Sequence, residues 1–318
     1  MDGQFSDYLI IGAGMAGLAC ATSLAREGAS VRVIDKGRGP GGRMAARRVE
    51  IGGEIVSFDH GAQYFTARDP AFREVVAAWG AAGVAARWPA AGEDAWVGTP
   101  GMNAPIRAMA QGLDVHWGLR AERLVRDGER WRVETETEAF LAARVLVAVP
   151  AEQAAVLLGD VAPALAQLAG SVTSAPCWAV MASFAARLPV ALDCWRSETG
   201  PISWAARNSA KPERTGPESW VIHASPGRSR ALVDRPKDEV AEILLADFFS
   251  ASGCTPAPPL QRDAHRWLYA QPQALKGEPA RFDAARGIGV AGDWLHSPRV
   301  EGAWLSGRTL AELVRAAR

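Results

Sequence analysis

Three glycines spaced as Gly12-x-Gly14-x-x-Gly17, a carboxylate at Asp35 and a Gly41-Gly42-Arg43 turn can do chemistry together. That chemistry is the gripping of a diphosphate. Gly12 permits a tight turn after a strand, Gly14 lets the amides from Gly14 through Met15 and Ala16 approach phosphate oxygens, and Gly17 permits close packing of the helix that follows. The positive end of that helix then faces the anion. Asp35 is placed to accept hydrogen bonds from both ribose hydroxyls, which disfavours a 2′-phosphate. The basic turn from Lys36 to Met44 adds backbone amides and the Arg43 guanidinium for a second contact to the diphosphate.

These residues need elements to position them. The apolar run 8–11, a helix over 18–27 and a strand over 30–34 make a βαβ unit with the glycines in its first turn. Residues 144–150 read as a buried parallel strand ended by Pro150. Residues 287–293 read as a last parallel strand carrying Asp293, followed by a helix that opens at Val300-Glu301-Gly302-Ala303 and runs to the chain end. Between these lie a helical pattern over 69–96, a helix over 103–111, a strand over 113–117 and a hairpin crossing Asp127-Gly128. Residues 178–184, 202–206 and 220–224 read as strands and 237–250 as a helix, so that an antiparallel sheet with helices on one side roofs the site.

Composition bounds the function. The 318 residues carry 35 basic and 35 acidic side chains, which excludes a general affinity for nucleic acid or an anionic membrane. Cys20, Cys177, Cys194 and Cys254 are scattered and form no C-x-x-C pair, so no zinc site or other metal centre is expected. The N-terminal residues have no signal-peptide pattern, and no apolar run approaches the roughly 18 residues of a membrane span. A soluble, cytoplasmic protein is the expectation.

Gly41-Gly42-Arg43-Met44 followed by Phe58-Asp59-His60-Gly61-Ala62-Gln63-Tyr64-Phe65 resembles renalase and its bacterial relatives, a branch of the flavin amine oxidase superfamily. The resemblance spans the chain, because the strand with Asp293 and the helix after Arg299 also match. It implies non-covalent FAD, since no cysteine lies between Gly287 and Ala303, where related oxidases attach their flavin. It implies that the 59–63 segment, Asp59, His60, Gly61, Ala62 and Gln63, passes beside the isoalloxazine ring, and that backbone near Arg123 and Leu124 contacts the adenine. It implies that Asp293 holds the ribityl chain or the diphosphate, and that the amides at Glu301, Gly302 and Ala303 face flavin N1 and favour negative charge on the reduced ring. The implied fold is α/β. A Rossmann-type FAD-binding domain, three layers around a parallel sheet (1–65, 97–160 and 281–318), carries an inserted substrate domain of antiparallel sheet plus helices (66–96 and 161–280). This arrangement is similar to p-hydroxybenzoate hydroxylase and the amine oxidases.

On the substrate side, Tyr64, Asn208, His223, Trp267 and Gln271 are the candidates. The amides and imidazole suit a carboxamide or ribose, and Trp267 suits stacking on a flat ring. A satisfied core role is the alternative for His223 and Trp267. Arg207, Lys211 and Arg214 are either a basic rim for phosphates or a solvated charged loop. The resemblance implies oxidation of 2- or 6-dihydro isomers of NAD(P)H, a hydride passing to flavin N5 and O2 becoming hydrogen peroxide. Such a reaction needs positioning more than an acid or base, and none is assigned. Amine oxidation is the alternative, and a non-catalytic FAD-binding protein is the alternative from another class.

Overall fold

The computed structural model describes residues 5–317. The first third of the chain runs β1 (Phe5–Ile11), α1 (Met15–Ala25), β2 (Val31–Asp35), β3 (Arg47–Ile51), β4 (Glu54–Phe58), α2 (Pro70–Ala81), β5 (Ala85–Arg87), β6 (Trp96–Gly98) and α3 (Ala104–Ala110). Next come β7 (Asp114–Trp117), β8 (Ala121–Asp127), β9 (Arg130–Thr135), β10 (Ala139–Val147), α4 (Ala151–Leu158), α5 (Pro163–Gly170) and β11 (Ser174–Phe184). The rest is β12 (Cys194–Arg196), β13 (Ile202–Arg207), β14 (Glu218–Ala224), α6 (Pro226–Ala231), α7 (Lys237–Ser252), β15 (Gln261–Pro272), β16 (Ala280–Asp283), β17 (Ile288–Ala291) and α8 (Val300–Ala316).

Two sheets organise the molecule. The larger follows the order β16-β17-β10-β1-β2-β7, with the β8–β9 hairpin joined to β10. Its central pairs are parallel, and only β16 and the hairpin are antiparallel. Central strands of this sheet are apolar throughout, as Leu9, Ile10, Val145, Leu146 and Val147 show, because both faces are covered. One face packs on α1 and α8 through Leu18, Leu24, Leu310 and Val314. The opposite face packs on α4 and α5 through Leu158, Leu165 and Ala169. The arrangement is α/β, with a Rossmann-like three-layer half and a separate antiparallel sheet.

That second sheet has the order β12-β13-β14-β11-β15 and packs its outer face on α7. Helix α7 buries Val240, Ala241, Leu244, Leu245, Phe248 and Phe249, an i, i+4 stripe, and stops at Gly253 in the left-handed region. Residues 69–96 depart from the continuous helical pattern expected. Asp69 caps α2 by accepting the N–H groups of Ala71 and Phe72, but the helix ends at Ala81, and 85–98 form the short β5–β6 hairpin. Phe72, Val76 and Trp79 nonetheless share one apolar core with α1 and α8.

Candidate functional site

The site is built first by the turn between β1 and α1. A Cβ on Gly17 would lie 1.8 Å from the Gly12 carbonyl oxygen, so the first turn of the helix packs directly on the glycine turn. Helix α1 has no side-chain cap and no acid in its first turn, which leaves its leading amides free. Asp35 closes the loop: its two oxygens accept the N–H groups of Ala13 and Gly37, each at 2.6 Å.

Arg43 donates to both oxygens of Asp293, at 2.6 and 2.8 Å. Arg43, expected on the diphosphate, and Asp293, expected on the ribityl chain or the diphosphate, are therefore one bidentate pair joining the Gly-Gly-Arg turn to the end of β17. Segment 59–63 lies on that turn. Ala62 N–H donates to the Arg43 carbonyl at 2.8 Å, and a Cβ on Gly61 would fall 2.1 Å from the same oxygen. From the other side Trp267 Nε1 donates to the His60 carbonyl at 2.8 Å, and the two rings stack at 5.1 Å.

A cavity of about 1970 Å³ runs between the two sheets. Small-molecule pockets are roughly 300 to 1,000 Å³, so this one has room for a dinucleotide and a second ligand. Its wall includes Gly12, Gly14, Met15, Ala16, Asp35, Lys36, Gly41, Gly42, Arg43 and Met44. It also includes His60, Gly61, Ala62, Gln63, Tyr64, Asp293, Glu301 and Ala303. Glu301 Oε1 is occupied by the N–H groups of Arg68 and Asp69, both at 2.6 Å, so this carboxylate fastens the start of α2. Helix α8 has no side-chain cap on its own first amides.

Several expected contacts lie off the wall. Gly17 is under the turn, and Gly302 packs against the Ser297 carbonyl. Asp59 is fully buried behind the wall, where Oδ2 accepts from Lys211 at 3.1 Å and Arg214 at 2.6 Å while Oδ1 accepts Met102 N–H at 2.9 Å. Burial alone would raise its pKa, but Lys211 and Arg214 outweigh that and hold the carboxyl below its usual range. Asn208 is also away from the wall: it donates to the Ser57 carbonyl at 2.7 Å and accepts Asp59 N–H at 3.2 Å, tying segment 57–59 to the turn after β13. Gln63 reaches the wall with its amide spent, accepting from Lys211 and donating to the Asp59 and Gly61 carbonyls. At the distal end the wall is formed by Leu119, Arg120, Ala121 and Glu122, just before Arg123 and Leu124.

The basic residues at 207, 211 and 214 are neither a phosphate rim nor a solvated loop. Arg207 is fully buried on Asp193 and Glu218 with its guanidinium over Trp220, and Lys211 and Arg214 are buried on Asp59. Burial lowers the Lys211 pKa to about 8.

The roof is a register row across all five strands of the second sheet. Arg196 pairs with Trp204, Trp204 with His223, His223 with Ala179, and Ala179 with His265. Cross-strand partners share a face, and Arg196, Trp204, His223 and His265 all line the cavity. Trp267 follows two residues along on the same face of β15. Arg196 lies 5.0 Å from the centres of both Tyr64 and Trp204, which stack at 5.6 Å, and it also donates to the Tyr64 hydroxyl. Gln271, exposed at the far end of β15, also reaches the wall. Burial drives the pKa of His60 down to about 3 and those of His223 and His265 to about 4, so all three imidazoles are neutral at neutral pH. The Cys177 thiol is pushed up to about 12 by burial. Arg196, Trp204 and His265 belong to no motif in the sequence. The alternation Asp263, His265, Trp267, Tyr269 in β15 was the only local signal, and the register that brings Arg196 to the row is a tertiary fact.

Among the described residues no group of metal-ligating side chains is assembled, and no helix is long and apolar enough to cross a membrane. Residues 10–79 match the model of an NAD(P)-binding Rossmann-like domain, and residues 88–315 match that of flavin containing amine oxidoreductase. Among solved structures the chain is similar to a protein assigned as a protoporphyrinogen oxidase from Exiguobacterium sp. 255-15 (16% identity, TM-score 0.74, 100% of each chain covered). It is similar to putrescine oxidase bound to putrescine (14%, TM-score 0.70, 98% of this chain and 99% of that one). Cyclohexylamine oxidase from Brevibacterium oxydans IH-35A is a third (13%, TM-score 0.64, 98% and 99%).

Proposed function

The chain belongs to the flavin containing amine oxidoreductase family and is an FAD-dependent oxidoreductase, and from that premise we propose that it oxidises an anionic dihydronicotinamide dinucleotide, a 2- or 6-dihydro isomer of NAD(P)H. The cavity fits the cofactor and a second molecule together. The residues that would hold FAD, without a covalent bond, are the glycine turn from Gly12 to Gly17, Asp35, Lys36, the Gly41–Met44 turn, segment 60–63, and the Arg43–Asp293 pair. The amides opening α8 complete that set. When bound, FAD would supply the two-electron acceptor for the donor's hydride, with O2 as final oxidant, so that donor, O2 and a proton from water would give NAD(P)+ and H2O2.

The observation that carries the substrate class is the charge of the roof. The second sheet lines the cavity with Arg196, three aromatic rings and two neutral imidazoles, with no carboxylate among its described wall residues. A protonated amine would meet Arg196 where it needs a counter-ion or an open aromatic face, whereas a phosphate meets a guanidinium already held flat on Tyr64 and Trp204. Neutral His265 offers a hydrogen bond without taking a proton, while neutral His223 is engaged by Gln63 and the His60 backbone. The chemistry asks for nothing more, because the donor already carries a hydridic C–H bond and needs orientation.

Anaerobic stopped-flow reduction of the holoprotein tests this. Rapid flavin bleaching by the 2- or 6-dihydro isomer, with slow bleaching by NADH and by amines, is the expected result. Rapid bleaching by an amine overturns it in favour of amine oxidation, the activity in the names of putrescine oxidase and cyclohexylamine oxidase. Bleaching by no donor overturns it in favour of an FAD-binding protein without turnover.

A further inference from the structure

His265 lies on the edge strand β15, with its ring 4.4 Å from Trp267 and 4.9 Å from His60, both approached edge to face. Its Nδ1 stands 3.3 Å from Nη2 of Arg47, which arrives from β3. A guanidinium has donors and no acceptor, so Nδ1 must carry the lone pair and the ring proton must sit on Nε2. Arg47 is itself anchored on Asp263, two residues earlier in β15, and Asp263 also takes Lys237 at 3.1 Å. Nε2 has no hydrogen-bond partner among the described residues. Unlike Nδ1 of His60, it is not sealed in the interior, so it keeps accessible surface on a residue that lines the cavity.

We propose that His265 is a hydrogen-bond donor of fixed tautomer, presenting Nε2–H to a neutral carbonyl oxygen on the electron donor, and that Arg47 is the positioning residue that fixes the tautomer. The proposal rests on the reading that the roof side of the cavity holds the electron donor. A ring in this state has no lone pair facing the ligand, so it orients and does not abstract a proton. Arg47 also keeps the ring neutral: burial is the larger cause of the low His265 pKa, and the guanidinium is the next. Recognition then favours planar ligands bearing a carboxamide or lactam carbonyl and gives nothing to a ligand whose polar group only donates.

Long-range 1H–15N correlation spectra of the 15N-histidine-labelled holoprotein decide the tautomer, with the His265 signal assigned by its loss in His265→Gln. The expected wild-type state is Nε2–H, and Arg47→Met is expected to mix the tautomers while Arg47→Lys largely keeps them. A wild-type Nδ1–H ring, or an unchanged ring in Arg47→Met, overturns the role of Arg47. The donor role is read by titrating NAD+ into the oxidised holoprotein and following the flavin spectrum. His265→Leu is expected to weaken binding about five- to ten-fold, the worth of one neutral hydrogen bond. His265→Gln, which can place an amide N–H near the ε position, is expected to recover most of it. Equal binding in wild type and His265→Leu overturns the donor role. Absence of any NAD+ response in the wild type overturns the roof reading and the donor role together, while the tautomer spectra still decide the part played by Arg47.

Discussion

Asp59 shows how much of this site is decided by one side chain that never reaches the ligand. It neutralises one of two buried cations, Lys211 and Arg214, and its neighbours in sequence form the cavity wall. Asp59→Asn leaves both cations without a carboxylate in the interior, a change that costs about 3 to 5 kcal/mol. Urea unfolding at pH 7 should show that loss, and Asp59→Asn with Lys211→Met should recover part of it; full stability in the single variant would show that the pair is not buried as described. The neutral imidazoles make a second prediction. With native pKa values of about 3 for His60 and about 4 for His223, against about 6.5 in the unfolded chain, protons bind preferentially to the unfolded state as pH falls below 6.5. Stability is therefore whole above pH 6.5 and declines toward pH 4, by up to about 1.4 kcal/mol per pH unit for each such histidine. His223→Gln should flatten the decline by nearly one proton's worth in unfolding series between pH 7 and 4.5, and an unaltered slope would mean that His223 is accessible to protons in the native state. Sequence could not reveal these states. A basic run such as Arg207, Lys211 and Arg214 looks the same on a solvated loop as it does folded onto Asp59 and Glu218.

Among elements, the β1–α1 turn was legible from sequence because the phosphate contact proposed for it and its folding use the same residues. Glycines at 12, 14 and 17 are demanded locally, and the strand before them and Asp35 after them fall where the spacing predicts. The parallel strands 8–11 and 144–147 were equally legible, since apolar continuity has one cause in a sheet covered on both sides. The roof was not. Strands of the second sheet show their type, but the row from Arg196 through Trp204, His223 and Ala179 to His265 depends on pairings between segments far apart in sequence. The extension of the helical pattern past Ala81 failed for the opposite reason: alanine, glycine and tryptophan satisfy a helical period and a tight hairpin alike, and packing around Trp79 and Trp88 selects the hairpin. The turn itself separates folding from binding in a way that can be measured. Gly17→Ala forces a methyl against the Gly12 carbonyl and should cost about 1 to 3 kcal/mol of apoprotein stability as well as FAD affinity. Gly14→Ala meets nothing within 4 Å in the protein, yet its methyl lies in the cavity wall. Its apoprotein should melt within a degree or two of wild type while FAD titration shows affinity reduced at least ten-fold; a Gly14→Ala protein that binds FAD normally would remove Gly14 from the phosphate grip.

For the molecule as a whole, the cavity exists because two sheets are held apart and cross-linked at its margins. Asp59 with Lys211 and Arg214, Arg47 with Asp263, and the Trp267 to His60 hydrogen bond connect segments of the nucleotide half to the roof. The chain as a whole carries equal numbers of acidic and basic side chains, so it offers an approaching anion no net attraction. Any steering must come from local charge, above all Arg196 on the exposed edge of the row, and local fields at a surface are screened over roughly 8 to 10 Å at ordinary salt. On the reading that the donor is a dinucleotide, KM should therefore rise several-fold as ionic strength goes from 20 to about 300 mM, with the bound-state reduction rate nearly constant. Arg196→Ala should raise KM at low salt and remove most of its salt dependence, since the guanidinium that made it is gone. Arg196→Lys should keep the salt dependence while losing part of the affinity, because an ammonium supplies the charge without the flat, forked face that stacks on Tyr64 and Trp204. Initial rates with each variant across a salt series separate these outcomes. If Arg196→Ala left both KM and its salt slope unchanged, phosphate recognition would have to lie elsewhere on the wall, and the charge argument for an anionic donor would lose its main support.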